Sequence, residues 1–538
     1  MTHRQLVIFS LLLSSVYLYG TPLLDTPLKN EQQRQIYEKL QNVDTTIPSI
    51  PIPPIEINTS KAQKDEHCFI SRSIVVRNMT LLSKEELRAV IDPYIGQCNG
   101  LYTLSVLADT LTKHYMDEGY ITSRVYLVPQ DIADGAIELY ALEGKIASIT
   151  PDSSKSRGSF MGMVEEPLRL SNIETAIEQM NRLRSNQTTM ALHPSERSGY
   201  SDIELTTQEK RPFFGSLGTN NYGSRATGKY QLYGGFVWEN FLGVSDILSI
   251  NLNTTEKQQT GRKSFGNSYT YGIPIGKWLW EAGFSRFRYD QTIYGLNNNY
   301  ISHGESAVSS LQGTYKLFHN RSQNLEVSAQ LAQKRNKSLI DGAQIDSSTY
   351  NLTVENLGIK HVYRQSTWEL YTLLNYIHGL NAFNPTTEGK LKNDFTKWTL
   401  SLGATKYLPT TLPMRYTLSA YAQYSDDLLY SVEQISIGGT YSVRGFQKQG
   451  LIGNRGWYAR NDLLFDANEY FSPYIAVDVG QISSTVDVIG GRLVSSSVGL
   501  RGHYKSLALD LYGATALKHP SENFYIHPFI GVNLSANF

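Results

Sequence analysis

The chain has 538 residues, enough for several domains, and its 49 basic and 49 acidic residues give a formal net charge of zero. This balance removes any global attraction to nucleic acid, and no such partner is expected. Tyrosine outnumbers phenylalanine by 35 to 19, which suits a protein with many rings that are apolar on one side and wet on the other.

The N-terminus, MTHRQLVIFSLLLSSVYLYG, is typical of a secretory signal peptide. Arg4 precedes an apolar run from Leu6 to Tyr19, and Gly20 offers a small residue for cleavage. A lone anchor helix is the alternative, although about 14 apolar residues are short for a membrane span. We therefore expect an exported protein with a signal peptide over residues 1–20.

Residues 21–44 are predicted to hold a polar helix. Within KNEQQRQIYEKLQNV, residues 29–43, the apolar stripe is too small to dock on an ordinary core. Residues 45–66 follow as a proline-rich linker, which is extended and semi-rigid at about 3.1 Å per residue. A polar helix on a long, stiff tether is understandable if the helix lodges in a polar cavity some distance away.

Two compact mixed modules are predicted next, over residues 67–143 and 144–211. The first has the order β-α-α-β-β, and the helix in SKEELRAVIDPYI begins with a capping box of Ser83 and Glu86. The second repeats this plan more loosely, with a predicted second capping box in SNIETAIEQMNRL (Ser171 and Glu174). The repeat rests on pattern rather than on identity.

Cys68 and Cys98 are the only cysteines. In an exported chain a disulfide is expected, closing a loop of about 30 residues. A metal site with two thiolates is the alternative, but among nearby residues only His67 could join it, and no metal is expected.

From 212 to 538 the helical signals stop and hydrophobicity alternates with a period of two. The last strand shows this most clearly, since apolar residues alternate with small or polar ones over Ile530–Phe538. Strands with one apolar face and no flanking helices are typical of a transmembrane β-barrel, apolar toward lipid and polar toward the lumen. A soluble sandwich is the alternative, but its strands are shorter. At about 20 residues per strand and loop, roughly 16 antiparallel strands fit, enough for an aqueous lumen.

Arg444 lies at the centre of GGTYSVRGFQKQG, residues 438–450, where glycines free the backbone. In SPYIAVDVGQI, Asp478 falls on the face opposite the branched residues and would point into the lumen. An arginine–carboxylate pair could hold the loop against the barrel wall in bidentate fashion. A solvated hairpin arginine and an ordinary lumenal aspartate are the alternative, and spacing does not decide between them.

Here EQISIGGTYSVRGF resembles the loop-6 signature of the two-partner secretion outer-membrane transporters, the TpsB or haemolysin activation/secretion family. The resemblance assigns Val443, Arg444, Gly445 and Phe446 to the loop-6 motif (loop 6 spanning about 438–456). AVDVG resembles the following strand motif, in which Asp478 with Gly480 receives the arginine; Ala476 stands where an aromatic residue is usual.

The resemblance extends over nearly the whole chain. GYITSRVYLVPQDIADG and IETAIEQMNRL are similar to two polypeptide-transport-associated (POTRA) modules, and ENFLGVSDILSI is similar to the first barrel hairpin. It implies an outer-membrane transporter with periplasmic modules. Such a protein recognises an unfolded TpsA-type exoprotein by the exoprotein's N-terminal secretion domain and secretes it through the barrel (type Vb secretion). The polar helix would plug the lumen, outer-membrane lipid would surround the barrel, and a monomer is expected.

No enzymatic activity and no cofactor are predicted. GSRATGKY, residues 223–230, nearly matches a phosphate-binding loop, but Tyr230 stands where a serine or threonine should hold magnesium and the segment lies in a predicted strand. Two other functions remain open. A barrel-assembly factor of the same superfamily shares loop 6 but lacks the plug helix, and a general porin has no reason to carry binding modules.

Overall fold

Three parts follow one another in the computed structural model: a helix, two small α+β modules and a large barrel of strands. The structure describes residues 26–41, 65 and 67–538, other than 133, 152, 225, 257, 295–297, 321, 384, 386–390, 448, 486–489, 522–523 and 525–526. The predicted signal peptide lies outside the described residues. So does the predicted proline-rich linker, apart from residue 65.

Helix α1 (Thr26–Gln41) occupies the region for which the sequence predicts a polar helix. Polar side chains such as Glu31 and Gln33 are buried along it, as are Leu28 and Leu40. Its burial therefore does not come from an apolar stripe alone: Leu28 joins a small apolar cluster with Leu352, while the polar residues are covered by polar surface.

The first module contains a three-stranded sheet covered on one face by two helices. Leu107 and Leu111 of the second helix are fully buried against Leu139 of the central strand. The Ser83 hydroxyl accepts the Glu86 amide and the Glu86 carboxylate accepts the Ser83 amide, which is the predicted capping box. The elements are β1 (Phe69–Ile70), β2 (Ser73–Arg77), α2 (Lys84–Ile91), β3 (Cys98–Asn99), α3 (Leu101–Asp117), β4 (Arg124–Leu127) and β5 (Ala136–Leu142), with sheet order β2-β5-β4.

The structure joins Cys68 and Cys98 in a disulfide, with their Cα atoms 5.3 Å apart. The bond brackets the short β1–β3 pairing, in which Phe69 lies opposite Asn99. It therefore ties the entry of the module to the start of helix α3.

Replacing both cysteines with serine is expected to destabilise this module by about 3–4 kcal/mol, because a loop of 30 residues is no longer closed in the unfolded chain. Pulse proteolysis of the full chain in urea would measure the change as a lower midpoint for cleavage within residues 67–143. Lys113→Ala, exposed on α3, is the control. Equal midpoints for the serine variant and the control would contradict the prediction.

The second module repeats the plan, and its sheet order is β6-β8-β7. The predicted capping box at Ser171 and Glu174 is wrong. Helix α5 begins at Leu170, so Ser171 lies inside it and its carbonyl accepts the Thr175 hydroxyl. The reason is tertiary, since the Leu170 amide donates to Gly119 O of the first module at 2.9 Å. The elements are β6 (Lys145–Thr150), α4 (Ser154–Ser159), α5 (Leu170–Asn181), β7 (Asn186–Pro194) and β8 (Tyr200–Glu209).

Sixteen antiparallel strands within the described part of the chain form a closed barrel, which confirms the predicted fold class. A two-residue strand, β16 (Ala343–Gln344), extends the tip of one hairpin. The barrel strands are β9 (Phe213–Asn220), β10 (Gln231–Glu239), β11 (Ile247–Thr255), β12 (Arg262–Ile275), β13 (Trp278–Tyr294), β14 (Asn299–His319), β15 (Gln323–Ile340), β17 (Tyr350–Arg364), β18 (Trp368–Leu380), β19 (Thr396–Leu408), β20 (Met414–Tyr424), β23 (Gly456–Phe465), β24 (Phe471–Ile482), β25 (Gly491–Tyr504), β26 (Leu507–Lys518) and β27 (Phe529–Asn537).

The alternation seen in the last strand follows the two faces of the barrel wall. Ile530 and Leu534 are exposed on the outer face, whereas Asn533 accepts a hydrogen bond from the Tyr233 hydroxyl at 2.7 Å on the inner face. Strand β27 pairs with β9 and closes the ring. At the end of this seam Phe538 and Gly215 exchange two backbone hydrogen bonds of 2.8 and 2.9 Å.

The second module is fastened to the barrel rim by hydrogen bonds that are buried or partly buried. The Glu239 carboxylate, at the end of β10, accepts the amides of Arg184 and Ser185 at 3.0 and 2.7 Å. The Arg182 guanidinium donates to Ser245 O in the next turn at 3.1 Å. Because Glu239 is only 2% exposed, this junction excludes water and orients the module against the rim.

None of the helices in the described ranges is long and apolar enough to cross a membrane. Among the same residues, no group of three His, Cys, Asp or Glu side chains is arranged to hold a metal ion.

Candidate functional site

A long connection between β20 and β23, residues 425–455, folds back into the barrel interior; we call it loop 6. It contains the short hairpin of β21 (Ile435–Ile437) and β22 (Leu451–Gly453), with its tip between them. The loop predicted at about 438–456 covers the tip and the return, whereas in the structure the connection begins at residue 425, before the stretch EQISIGGTYSVRGF that starts at Glu433. Ile435 and Ile437 are buried, so the part of the loop ahead of its tip is packed as firmly as the tip.

Arg444 at the loop tip is 1% exposed and binds Asp478 of β24. Its Nε and Nη2 donate to the two carboxylate oxygens of Asp478 at 2.7 and 2.6 Å. The Arg444 backbone amide also donates to Asp478 Oδ2, at 3.0 Å. The aspartate therefore binds both the side chain and the main chain of the loop tip, which fixes its orientation as well as its position.

A second carboxylate, Asp462 of β23, was missed by the sequence reasoning. Arg444 Nη2 donates to it at 2.5 Å, and Arg501 of β25 pairs with its other oxygen. The signal was present, because in YARNDLLF the period-2 alternation places Asp462 on the same face as Arg460. Arg460 is itself buried and donates to Thr440 O of the loop tip at 3.0 Å.

The glycines around the arginine allow a close approach to the wall. Gly445 has φ +88°, and a Cβ built on it would lie 2.9 Å from the Thr515 carbonyl carbon. On the wall, a Cβ at Gly480 would come within 3.0 Å of Val443, which is fully buried. Any larger residue at 445 or 480 would push the tip away from the strands that hold it.

Aromatic rings complete the surroundings of the loop tip. Phe446 stacks edge-on against Phe524, with ring centroids 5.8 Å apart. The Arg444 guanidinium carbon lies 6.0 Å and 5.8 Å from the ring centroids of Tyr474 and Tyr512. The rings that flank the arginine thus come from positions other than Ala476, where the family usually has an aromatic residue.

Arg444 remains charged in this enclosed site. Burial by itself would lower its pKa, but the charge and hydrogen bonds of Asp478, together with the charge of Asp462, raise the pKa well above the ordinary value. A guanidinium that cannot lose its proton makes the attachment independent of pH in the physiological range.

Helix α1 lies in the lumen beside loop 6. The Asn253 side chain of the wall donates to Glu31 of the helix at 3.2 Å. The ring of Tyr37 lies 5.7 Å from that of Tyr441 at the loop tip, and the Arg460 guanidinium sits over Tyr37 at 4.5 Å. The helix therefore contacts both the wall and the loop that carries the arginine.

Space remains next to the helix. A cavity of about 880 Å³ is bordered by α1 on one side and by the inner wall on the other. Its lining is rich in charged and amide groups, among them Glu31, Arg34, Glu281, Arg286, Lys334 and Lys360. A lumen with such walls suits water and an extended polypeptide rather than an apolar ligand.

The closed barrel, the two modules at its rim and the ion-paired loop in its lumen define the POTRA-bearing class of outer-membrane β-barrel transporters. The chain matches the family model "Haemolysin secretion/activation protein ShlB/FhaC/HecB" over residues 199–502. It also matches "POTRA domain, ShlB-type" over 69–144 and "POTRA domain" over 137–194. The protein belongs to this haemolysin secretion/activation family.

Known proteins of the family resemble the chain over most of its length. It is 31% identical to the outer membrane transporter CdiB of Dickeya dadantii (strain 3937), over 81% of this chain and 78% of the relative. It is 28% identical to the hemolysin transporter protein ShlB of Serratia marcescens, over 82% and 81%. The solved structure of CdiB from Escherichia coli superposes with a TM-score of 0.79 at 26% identity, covering 97% of this chain and 100% of that one.

These findings confirm the main functional predictions. The protein is a two-partner secretion transporter of the outer membrane, with its POTRA modules in the periplasm, and it is not an enzyme. Below, the two modules are called POTRA 1 and POTRA 2.

Proposed function

We propose that this transporter exports one dedicated exoprotein of the TpsA type, which arrives unfolded and binds through its N-terminal secretion domain. Two relatives support a single class of cargo, since ShlB of Serratia marcescens and HpmB of Proteus mirabilis are each named hemolysin transporters. A cell-damaging exoprotein is accordingly the cargo we expect, and haem-acquisition proteins are less favoured. The HuxB heme/hemopexin transporter of Haemophilus influenzae is only 22% identical.

POTRA 1 supplies the binding surface in this proposal. Strand β4 lies at an edge of its sheet, and Tyr126 on this strand is 49% exposed. On helix α3 the apolar residues Leu101 and Val106 are also exposed. An extended segment could add to the β4 edge through its main chain while these side chains accept its apolar residues.

In this proposal the cargo crosses the outer membrane through the lumen of the barrel. Helix α1 leaves the barrel, the cargo threads through the polar lumen, and Arg444 with Asp478 holds the loop tip against the wall. The periplasm has no nucleotide, so folding of the cargo outside the cell supplies the free-energy bias. The ring of strands closes within one chain, and the transporter acts as a monomer. The observation that carries the proposal is the polar helix buried in a polar lumen beside the ion-paired loop.

Quantitative mass spectrometry of culture supernatant and outer membrane, with and without the gene, tests the proposal. Loss of one large secreted protein with outer-membrane proteins unchanged is expected, and it would name the cargo. A broad fall in outer-membrane barrels would instead indicate an assembly factor and contradict the plug role of helix α1.

A further inference from the structure

A segment of loop 6 ahead of its tip, residues 431–436, lies between the barrel wall and helix α1. It begins as a 3-10 turn, Ser431–Glu433, and continues into β21. We call these six residues the seat, because one side contacts the wall and the other receives the helix.

The wall holds the seat through Glu433, whose side chain is completely buried. The Glu433 carboxylate lies 2.5 Å from Lys334 Nζ of β15 and 2.7 Å from Lys397 Nζ of β19. Its backbone carbonyl accepts hydrogen bonds from Lys397 and from Gln423 of β20, each 2.9 Å long. Three wall strands therefore converge on one residue of the loop.

On the other side of the seat, side chains of helix α1 bind the main chain of the seat. Lys29, Gln32 and Gln33 have the i, i+3, i+4 spacing that puts side chains on one face of a helix. All three donate to backbone carbonyls of the seat, so these hydrogen bonds depend on the conformation of the loop, and one further bond runs from Gln33 to the Ser436 hydroxyl. The acceptors are Ser431 and Gln434 for Lys29 (2.8 Å to Gln434), Val432 for Gln32 (3.1 Å) and Ser436 for Gln33 (2.8 Å).

We propose that Glu433 is a positioning residue that holds the seat in the conformation helix α1 recognises, and so keeps the transporter closed at rest. The inference rests on the proposed plug role of the helix. The charge of Glu433 is essential because its carboxylate pairs with the ammonium groups of both Lys334 and Lys397. Without that carboxylate, two ammonium groups of the wall converge on an uncharged turn, and the seat shifts away from the helix.

Conductance of the purified full chain in planar bilayers tests this inference. Glu433→Gln is expected to raise the resting conductance roughly tenfold toward that of a variant lacking residues 26–41, because the helix leaves its seat more often. Glu433→Asp keeps the charge and is expected to recover part of the closed state. The control is Glu326→Gln, which breaks a half-buried wall pair with Lys360 at 2.8 Å in the same barrel.

A second readout follows the helix itself. Gln33→Cys with Ser436→Cys pairs two side chains in contact, at 3.0 Å between Gln33 Nε2 and Ser436 Oγ. Their disulfide yield is expected to fall when Glu433→Gln is added and to stay unchanged with Glu326→Gln. If Glu433→Gln does not give a heat-modifiable barrel, Lys334→Gln is used in its place, because it removes one partner of the same carboxylate.

The outcomes separate the inference from the function on which it rests. If helix deletion opens the channel but Glu433→Gln changes neither conductance nor disulfide yield, the role of Glu433 is overturned while the plug stands. If helix deletion leaves the channel closed, the plug role fails and the inference fails with it.

Discussion

Arg444→Ala is expected to reduce secretion of the exoprotein at least about tenfold while the barrel still inserts into the outer membrane. The change leaves the carboxylate of Asp478 buried without its partner, at a cost of about 3–5 kcal/mol, which is enough to detach the loop tip. Insertion depends on the strand ladders, in which Arg444 has no part. Immunoblots of supernatant, together with the heat-modifiable barrel in outer-membrane fractions, measure the two effects separately.

Three matched variants sharpen this test. Asp478→Asn is expected to resemble Arg444→Ala, because Asp478 binds both the side chain and the backbone amide of the arginine. Asp462→Asn should be milder, since one of its oxygens pairs with Arg501 and only the other with Arg444. Arg492→Ala, an exposed arginine of β25, is the control. Equal loss of assembled barrel and of secretion in Arg444→Ala would show that the pair serves assembly instead.

Glu239→Ala is expected to loosen POTRA 2 from the barrel and to reduce secretion strongly. The amides of Arg184 and Ser185, the second of them buried, lose a charged acceptor, and each such hydrogen bond contributes about 1.5–3 kcal/mol. The cargo bound to the modules would then no longer be delivered in a fixed orientation to the lumen. Limited trypsin digestion of the membrane-inserted protein measures the loosening as faster cleavage after Lys210.

Glu204→Ala provides the control for this variant, because Glu204 lies in the same module and is exposed beside His193. Its cleavage rate and secretion are expected to match those of the natural protein. Unchanged trypsin sensitivity in Glu239→Ala, with secretion intact, would mean that the remaining contacts, such as that of Arg182, suffice to hold POTRA 2.

Patterns that depend on neighbouring residues predicted the structure well. The alternation ending at Phe538 predicted the two faces of β27, and the capping box at Ser83 predicted the start of α2, because backbone geometry alone decides both. The second capping box failed for the opposite reason. Helix α5 starts where the Leu170 amide meets Gly119 of POTRA 1, a contact that local sequence does not contain.

The residues of the candidate site also fall into those that the sequence could predict and those that it could not. Its arginine and Asp478 were identifiable because glycines and a family motif mark them, whereas Asp462 resembles any polar residue on an inner face. Glu433 begins the stretch EQISIGGTYSVRGF, but nothing in that stretch indicates what its carboxylate binds, since its partners Lys334 and Lys397 lie on strands far away in the chain. Charge pairs between such distant residues can be identified only when the closed barrel shows which strands are neighbours.

Composition, periodicity and motif were thus sufficient for the barrel, the two modules, the lumenal helix and the family of the protein, since each depends on repeated short-range preferences. Only the tertiary structure decided which carboxylates share Arg444 and where the helix rests on loop 6. Those contacts join residues up to about four hundred positions apart, such as Lys29 and Gln434. Their geometry is set by barrel closure, because strand register determines which inner-face side chains meet.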